Sequence, residues 1–237
     1  MKHLRQYIKN LILEMAMKKP ATLASQGLAL AHYNSSTSSG KRHFVLFDPE
    51  KAMKHLRKWL QISEAYEQSI TSSDILAAIN NAVLAVMEIK EEADGTWSGT
   101  RTAAESGWGP TMYELMMMIS PRGFTSDRKG MSSSHTWEIW EKYMEREDVK
   151  KIPLEKKLKK AAAGWQNYMF SIPDDGSYNI LAANYDKFLE KAIASHPAFY
   201  GAYEKITKEK LGLNSIVGEM FSNKYRDAGY FGGGEDY

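Results

Sequence analysis

The hydrophobic positions of this chain change period several times, and each change marks an element. Leu4, Tyr7, Ile8, Leu11 and Ile12 fall at i, i+3, i+4, i+7 and i+8, one stripe of a helix, with Lys2, Arg5, Gln6, Lys9 and Asn10 opposite. A helix of about 13 residues is marginal alone in water, so it must dock on its own domain or on a partner. Residues 28–33 and 43–47 read as two strands joined by the Asn-Ser-Ser-Thr-Ser-Ser-Gly-Lys turn. Asp48-Pro49 then supplies an N-cap and a first helical residue, and residues 49–61 place Met53, Leu56 and Leu60 on one helix face.

A short helix is expected near 74–78, capped by Thr71, Ser72 or Ser73. Residues 82–89 are apolar almost without interruption, which predicts a central strand covered on both faces. Ala93-Asp94-Gly95 is a hairpin turn, and 96–105 returns as the partner strand. Ser106-Gly107-Trp108-Gly109-Pro110 ends that strand. An apolar helix over 111–119 follows, then a short strand at 124–125 and a helix over 135–146 behind a serine cap. From Lys150 a lysine cluster lies over Leu154, Leu158, Ala161, Ala162, Trp165 and Met169 at helical spacing, and further helices are expected at 184–195 and 197–211. Gly232-Gly233-Gly234 precedes a tail expected to be mobile. The organisation predicted is an amphipathic segment over 1–14, an α+β core over 15–149, a helical extension over 150–230 and a tail over 231–237.

Composition removes several classes. The 237 residues are 43% hydrophobic and 25% charged, a globular balance. No cysteine is present, so disulfide frameworks, thiol nucleophiles and thiolate metal sites are excluded. The six histidines (His3, His32, His43, His55, His135, His196) show no metal-binding spacing, and no metal is expected. The net charge of +2 argues against nucleic acid as a partner, although the lysines of 150–160 leave an accessory role of that kind open. No apolar run approaches the ~20 residues of a spanning helix, and the first segment lacks a secretory leader's apolar centre, so neither membrane insertion nor secretion by a signal peptide is expected.

The strand–glycine turn–helix passage carries the most chemistry. Gly107 and Gly109 permit close backbone approach and unusual dihedrals, and the helix behind them presents unsatisfied N–H groups and the positive end of its dipole. Such an end favours phosphate or pyrophosphate, although a turn that binds nothing would show the same glycines. The order of central strand, hairpin partner, glycine turn, helix, short strand and second helix resembles the GNAT-type N-acetyltransferase superfamily. It is also similar to tailed-phage proteins with a glycine loop, a Ser126-Asp127-Arg128 segment and a Trp137-Glu138-Ile139-Trp140-Glu141 helix.

The resemblance implies a GNAT-like mixed sheet flanked by helices. It implies an acyl-CoA, acetyl-CoA or another, whose pyrophosphate lies on Gly107, Trp108, Gly109 and Thr111. It also implies a base that takes a proton from an acceptor amine, for which Glu105 is the first choice and Glu88 the second. Departures are specific: Ala104 stands where the superfamily loop has Gln or Arg, with Arg101 too early unless the strand is bulged. Ser133, Thr136 and Trp140 occupy the later Asn, Ala and Tyr positions. An indole cannot serve as the acid, so Tyr143, three residues on, is the residue assigned that role. Residues 1–14, ending in Ile12-Leu13-Glu14, resemble the cleavable capsid-targeting leaders of tailed phages. That likeness implies a location in the virion or the host cytoplasm, a capsid or host protein as partner, and, as the alternative function, a non-catalytic scaffold.

Overall fold

The computed structural model describes residues 19–34, 41–65, 80–105, 107–126, 134–155, 161 and 163–195. The expected leader over 1–14, the short helix near 74–78, the helix over 197–211 and the tail over 231–237 lie outside them, as do Ser133 and the lysines at 156–160. Local chemistry starts the elements where the sequence places them. Asp48 Oδ1 accepts the N–H of Glu50 (2.9 Å) and of Lys51 (3.0 Å), capping helix α2, Pro49–Ala65. The short α1, Pro20–Ser25, precedes it and also opens on proline. Asp94 Oδ1 accepts the Thr96 N–H at 3.0 Å, and Gly95 takes φ +76° in the turn between β3, Val83–Glu91, and β4, Trp97–Ala104.

Seven strands form one mixed sheet. Strands β1 (Ala29–Asn34), β2 (Lys41–Phe47), β3 and β4 run antiparallel in sequence order. After β4, Gly107 and Trp108 lead into helix α3, Gly109–Ile119, and the chain returns as β5, Phe124–Thr125, parallel to β4. Helix α4, Ser134–Glu145, leads to β6, Lys150–Pro153, and β7, Tyr168–Ser171. Strand β7 sits between β5 and β6, completing the order β1-β2-β3-β4-β5-β7-β6. Helix α5, Ser177–Ser195, crosses back onto the sheet. The architecture is α+β, as the sequence predicts.

Both faces of the centre are covered, as the apolar run of β3 requires: every residue from Val83 to Ile89 is buried. On one face Phe44, Leu46, Met87, Ile89 and Trp97 share a core with Met112, Leu115 and Met116 of α3. Trp140 of α4 joins that core at the far end, stacked on Trp165 at 5.8 Å. On the other face Phe47 meets Tyr185 and Phe188 of α5 edge-on, at 5.9 and 5.3 Å. The Met116-Met117-Met118 run lies on a helix buried on most sides, the first two fully.

The region from Lys150 is corrected by the structure. Residues 150–153 and 168–171 are strands, linked through a 3-10 turn, Gly164–Asn167, and not the start of a helical extension. The outer edge of β5 has ladder groups to satisfy, and Phe170 pairs with Phe124 across it. Leu154, Trp165 and Met169 are buried as the helical spacing implied, but into the end of the sheet. The expected boundary at 149/150 therefore falls inside one continuous sheet, and the helical part after it is α5, which starts at Ser177 and not near Asn184.

Candidate functional site

The glycine turn has the geometry its sequence calls for. Gly107 adopts φ +84°, a conformation closed to most side chains. The Trp108 N–H bonds to the Glu105 carbonyl at 3.1 Å, and α3 begins at the next residue with Pro110 in its first turn. Its N-cap residue, Trp108, makes no side-chain capping bond. A Cβ placed on Gly109 meets nothing within 4 Å, so the backbone there faces open space. Trp108 and Thr111 direct their side chains inward and are buried, so neither side chain is offered to a cofactor.

Glu105 is exposed at the end of β4, with its N–H on the Leu84 carbonyl at 2.9 Å. Tyr143 sits apart from it. It is fully buried in α4, and its hydroxyl donates to the Pro110 carbonyl at 3.0 Å. Burial, reinforced by the nearby Glu114 carboxylate, holds its phenol well above the ordinary tyrosine value. Trp140 is buried among aromatic rings, and Ala104 is exposed.

A second constellation lies one strand away. His43 of β2 and Glu88 of β3 are directly opposed in the ladder, and the imidazole Nε2 is 3.1 Å from Glu88 Oε2. Lys41 Nζ reaches Glu88 Oε1 at 3.1 Å, and the Thr100 hydroxyl donates to the same oxygen at 2.6 Å. Burial alone would raise the Glu88 pKa. The hydrogen bonds from His43, Thr100 and Lys41 outweigh it and hold the carboxyl at about 2. A carboxylate that stays ionised can only accept, so the imidazole Nε2 carries a hydrogen and donates it to Glu88.

A bulge in β4 builds this contact. Glu88 faces Arg101 and Ile89 faces Gly99, which leaves Thr100 as the extra residue, aimed at Glu88. The irregularity precedes Arg101, so Ala104 keeps its place three residues before Gly107. The same stretch is where β4 loses its neighbour: β5 pairs only at Trp97↔Phe124 and Ser98↔Thr125, while β4 runs on to Ala104. At that point the Thr125 hydroxyl is buried with no hydrogen-bond partner among the described residues. Gly99 is required beside it, because a Cβ there would stand 2.8 Å from the Phe124 ring.

Sequence reasoning named Glu88 only as a second choice and missed His43, Lys41 and Thr100. Its one available signal was a lone carboxylate inside an apolar strand; cross-strand register supplied the rest.

Among the described residues no group of three or more His, Asp or Glu side chains is placed to hold a metal, and no helix is long and apolar enough to cross a membrane. The class that fold and site define is an α+β protein with a parallel β4–α3–β5 unit and a buried His–Glu pair beside it. No family model, curated protein or solved structure matches the chain.

Proposed function

We propose that the protein is a GNAT-like acyl-CoA-binding N-acyltransferase. The observation that carries this reading is the β4–turn–α3–β5 unit. Two parallel strands are joined through a helix that starts behind a positive-φ glycine, and their pairing stops after Ser98 and Thr125. Ligands of open sheets lie beyond the carboxyl ends of parallel strands, where helix N-termini point. The open space at Gly109 and the unpartnered Thr125 hydroxyl fit an acyl-CoA laid from the turn toward the β4 bulge. The thioester supplies an activated acyl carbonyl.

Within this reading the chain's own groups bind, orient and move one proton. The main-chain N–H groups of Gly107 and Gly109, at the positive end of α3, hold the anionic end. Glu88, ionised and buried, is held by Lys41, His43 and Thr100 and ties β2, β3 and the β4 bulge together beside the turn. Glu105, exposed beside the turn, takes the proton from the acceptor amine. Tyr143 supports the first turn of α3 from below through the Pro110 carbonyl.

The test is thermal unfolding of the full chain with acetyl-CoA. A ligand at 100 times its Kd adds about 2.7 kcal/mol of stability, so a clear rise in Tm at millimolar acetyl-CoA is expected. No rise removes the proposal. If turnover is found, its loss in Glu105→Gln with retention in His43→Gln identifies Glu105 as the proton acceptor, and full activity of Glu105→Gln removes that role.

A further inference from the structure

A basic groove lies on another part of the surface. A cavity of about 1000 Å³ opens between α2 and α5, floored by Met53 and Phe188. Its walls carry Lys51, Lys54, Arg57 and Lys58 from α2 and Lys187 and Lys191 from α5, all exposed. The acidic residue lining it is Glu50. The ion pairs among the described residues involve none of these six cations. The whole chain has a net charge of only +2, so this groove concentrates positive charge that the rest of the sequence offsets elsewhere.

We infer that this groove binds single-stranded nucleic acid through its phosphodiester backbone. Six exposed cations set against one lining carboxylate, Glu50, repel one another across the cleft, and a polyanion relieves that repulsion. At 1.5 Å of rise per residue, Lys51, Lys54 and Lys58 follow one another about 4.5 and 6 Å apart along α2, and Lys187 and Lys191 about 6 Å apart along α5. A small anion would engage one or two of them; an extended chain of phosphates engages both rows. The concave shape selects a single strand, because a duplex receives a protein element into its own groove, whereas a cleft walled by cations tracks one backbone. His55 and Gln61, also in the lining, supply hydrogen-bonding groups for bases or sugars. Lys150 and Lys151, the described lysines of the cluster singled out by sequence, are not among the residues that line it. The inference is independent of the acyltransferase reading.

The experiment is fluorescence anisotropy of the full chain with a labelled oligo(dT) 20-mer across a KCl series. Single-strand binding should weaken linearly in log–log form, with a slope near −4 if about six phosphates are neutralised at roughly −0.7 each. Lys187→Ala/Lys191→Ala should reduce affinity at least tenfold at low salt and make the slope shallower by about 1.4. Lys142→Ala/Lys150→Ala, on α4 and β6, should leave both unchanged. Undetectable or salt-insensitive binding overturns the inference, and so does equal weakening by the second pair. Tighter binding of a duplex of the same length refutes the single-strand assignment. Displacement by polyglutamate at equal charge refutes the phosphodiester assignment.

Discussion

His43 and Glu88 face each other across the β2–β3 ladder, in contact through Nε2 and Oε2 at 3.1 Å, in the middle of an otherwise apolar sheet. A carboxylate at 5% exposure survives there because three donors converge on it.

Glu88→Gln keeps the shape and removes the charge. Stability should fall by about 1–3 kcal/mol, since Lys41 and His43 lose a charged acceptor. The folded pKa of Glu88 is depressed from 4.5 to about 2, so its contribution is fully present above pH 4.5 and disappears as pH drops toward 2. Urea midpoints measured across that window should decline less steeply in the variant than in the parent. Parallel declines would show that the carboxylate is not held by these partners.

Gly99→Ala should destabilise the fold by about 1–3 kcal/mol. The new methyl would stand 2.8 Å from the Phe124 ring, and that ring is locked between Tyr113 and Trp140. Chemical denaturation measures the loss; a variant as stable as the parent would mean that β4 and β5 can part without cost.

Tyr143→Phe removes the hydrogen bond to the Pro110 carbonyl and nothing else. The expected loss is about 1 kcal/mol, with acetyl-CoA affinity and any turnover unchanged. A hundredfold or larger fall in turnover at ordinary stability would instead put this hydroxyl in the proton path, as the superfamily resemblance implies.

Arg146 joins α3 to the loop after α4. Its guanidinium bonds to both the buried Glu114 and Asp148 and lies 5.4 Å from the centre of the Tyr143 ring. Arg146→Met strands the Glu114 carboxylate and should cost about 2–4 kcal/mol, while adding Glu114→Leu should recover much of that. Equal losses in the single and double variants, measured by thermal unfolding, would mean that the arginine acts through packing on Tyr143 rather than through the ion pair.

Much of the fold is legible in local chemistry. Asp48-Pro49, Asp94-Gly95 and Gly107 through Pro110 each mark a reversal or a helix start, because caps and positive dihedrals depend on the residue at that position. The β3 run announces a doubly covered strand through its composition. The 150–171 region misleads for an equally physical reason. Leu154, Trp165 and Met169 have a spacing compatible with a helix, but what they pack against is the end of a sheet built by residues far earlier in the chain. The site divides the same way. The glycine turn can be read from four consecutive residues, whereas the His43–Glu88–Thr100 contact depends on register and on a bulge.

The sequence by itself determined the α+β class, the order of the elements from β1 to α4 among the described residues and the glycine turn before α3, since these follow from interactions within a few residues, whereas the short α1 was not read from it. Only the tertiary structure decided that β7 enters between β5 and β6, that Thr100 bulges toward Glu88, and that lysines more than a hundred residues apart line one groove. Those are pairings between distant segments, chosen by which edges and faces remain to be satisfied once the local elements have formed.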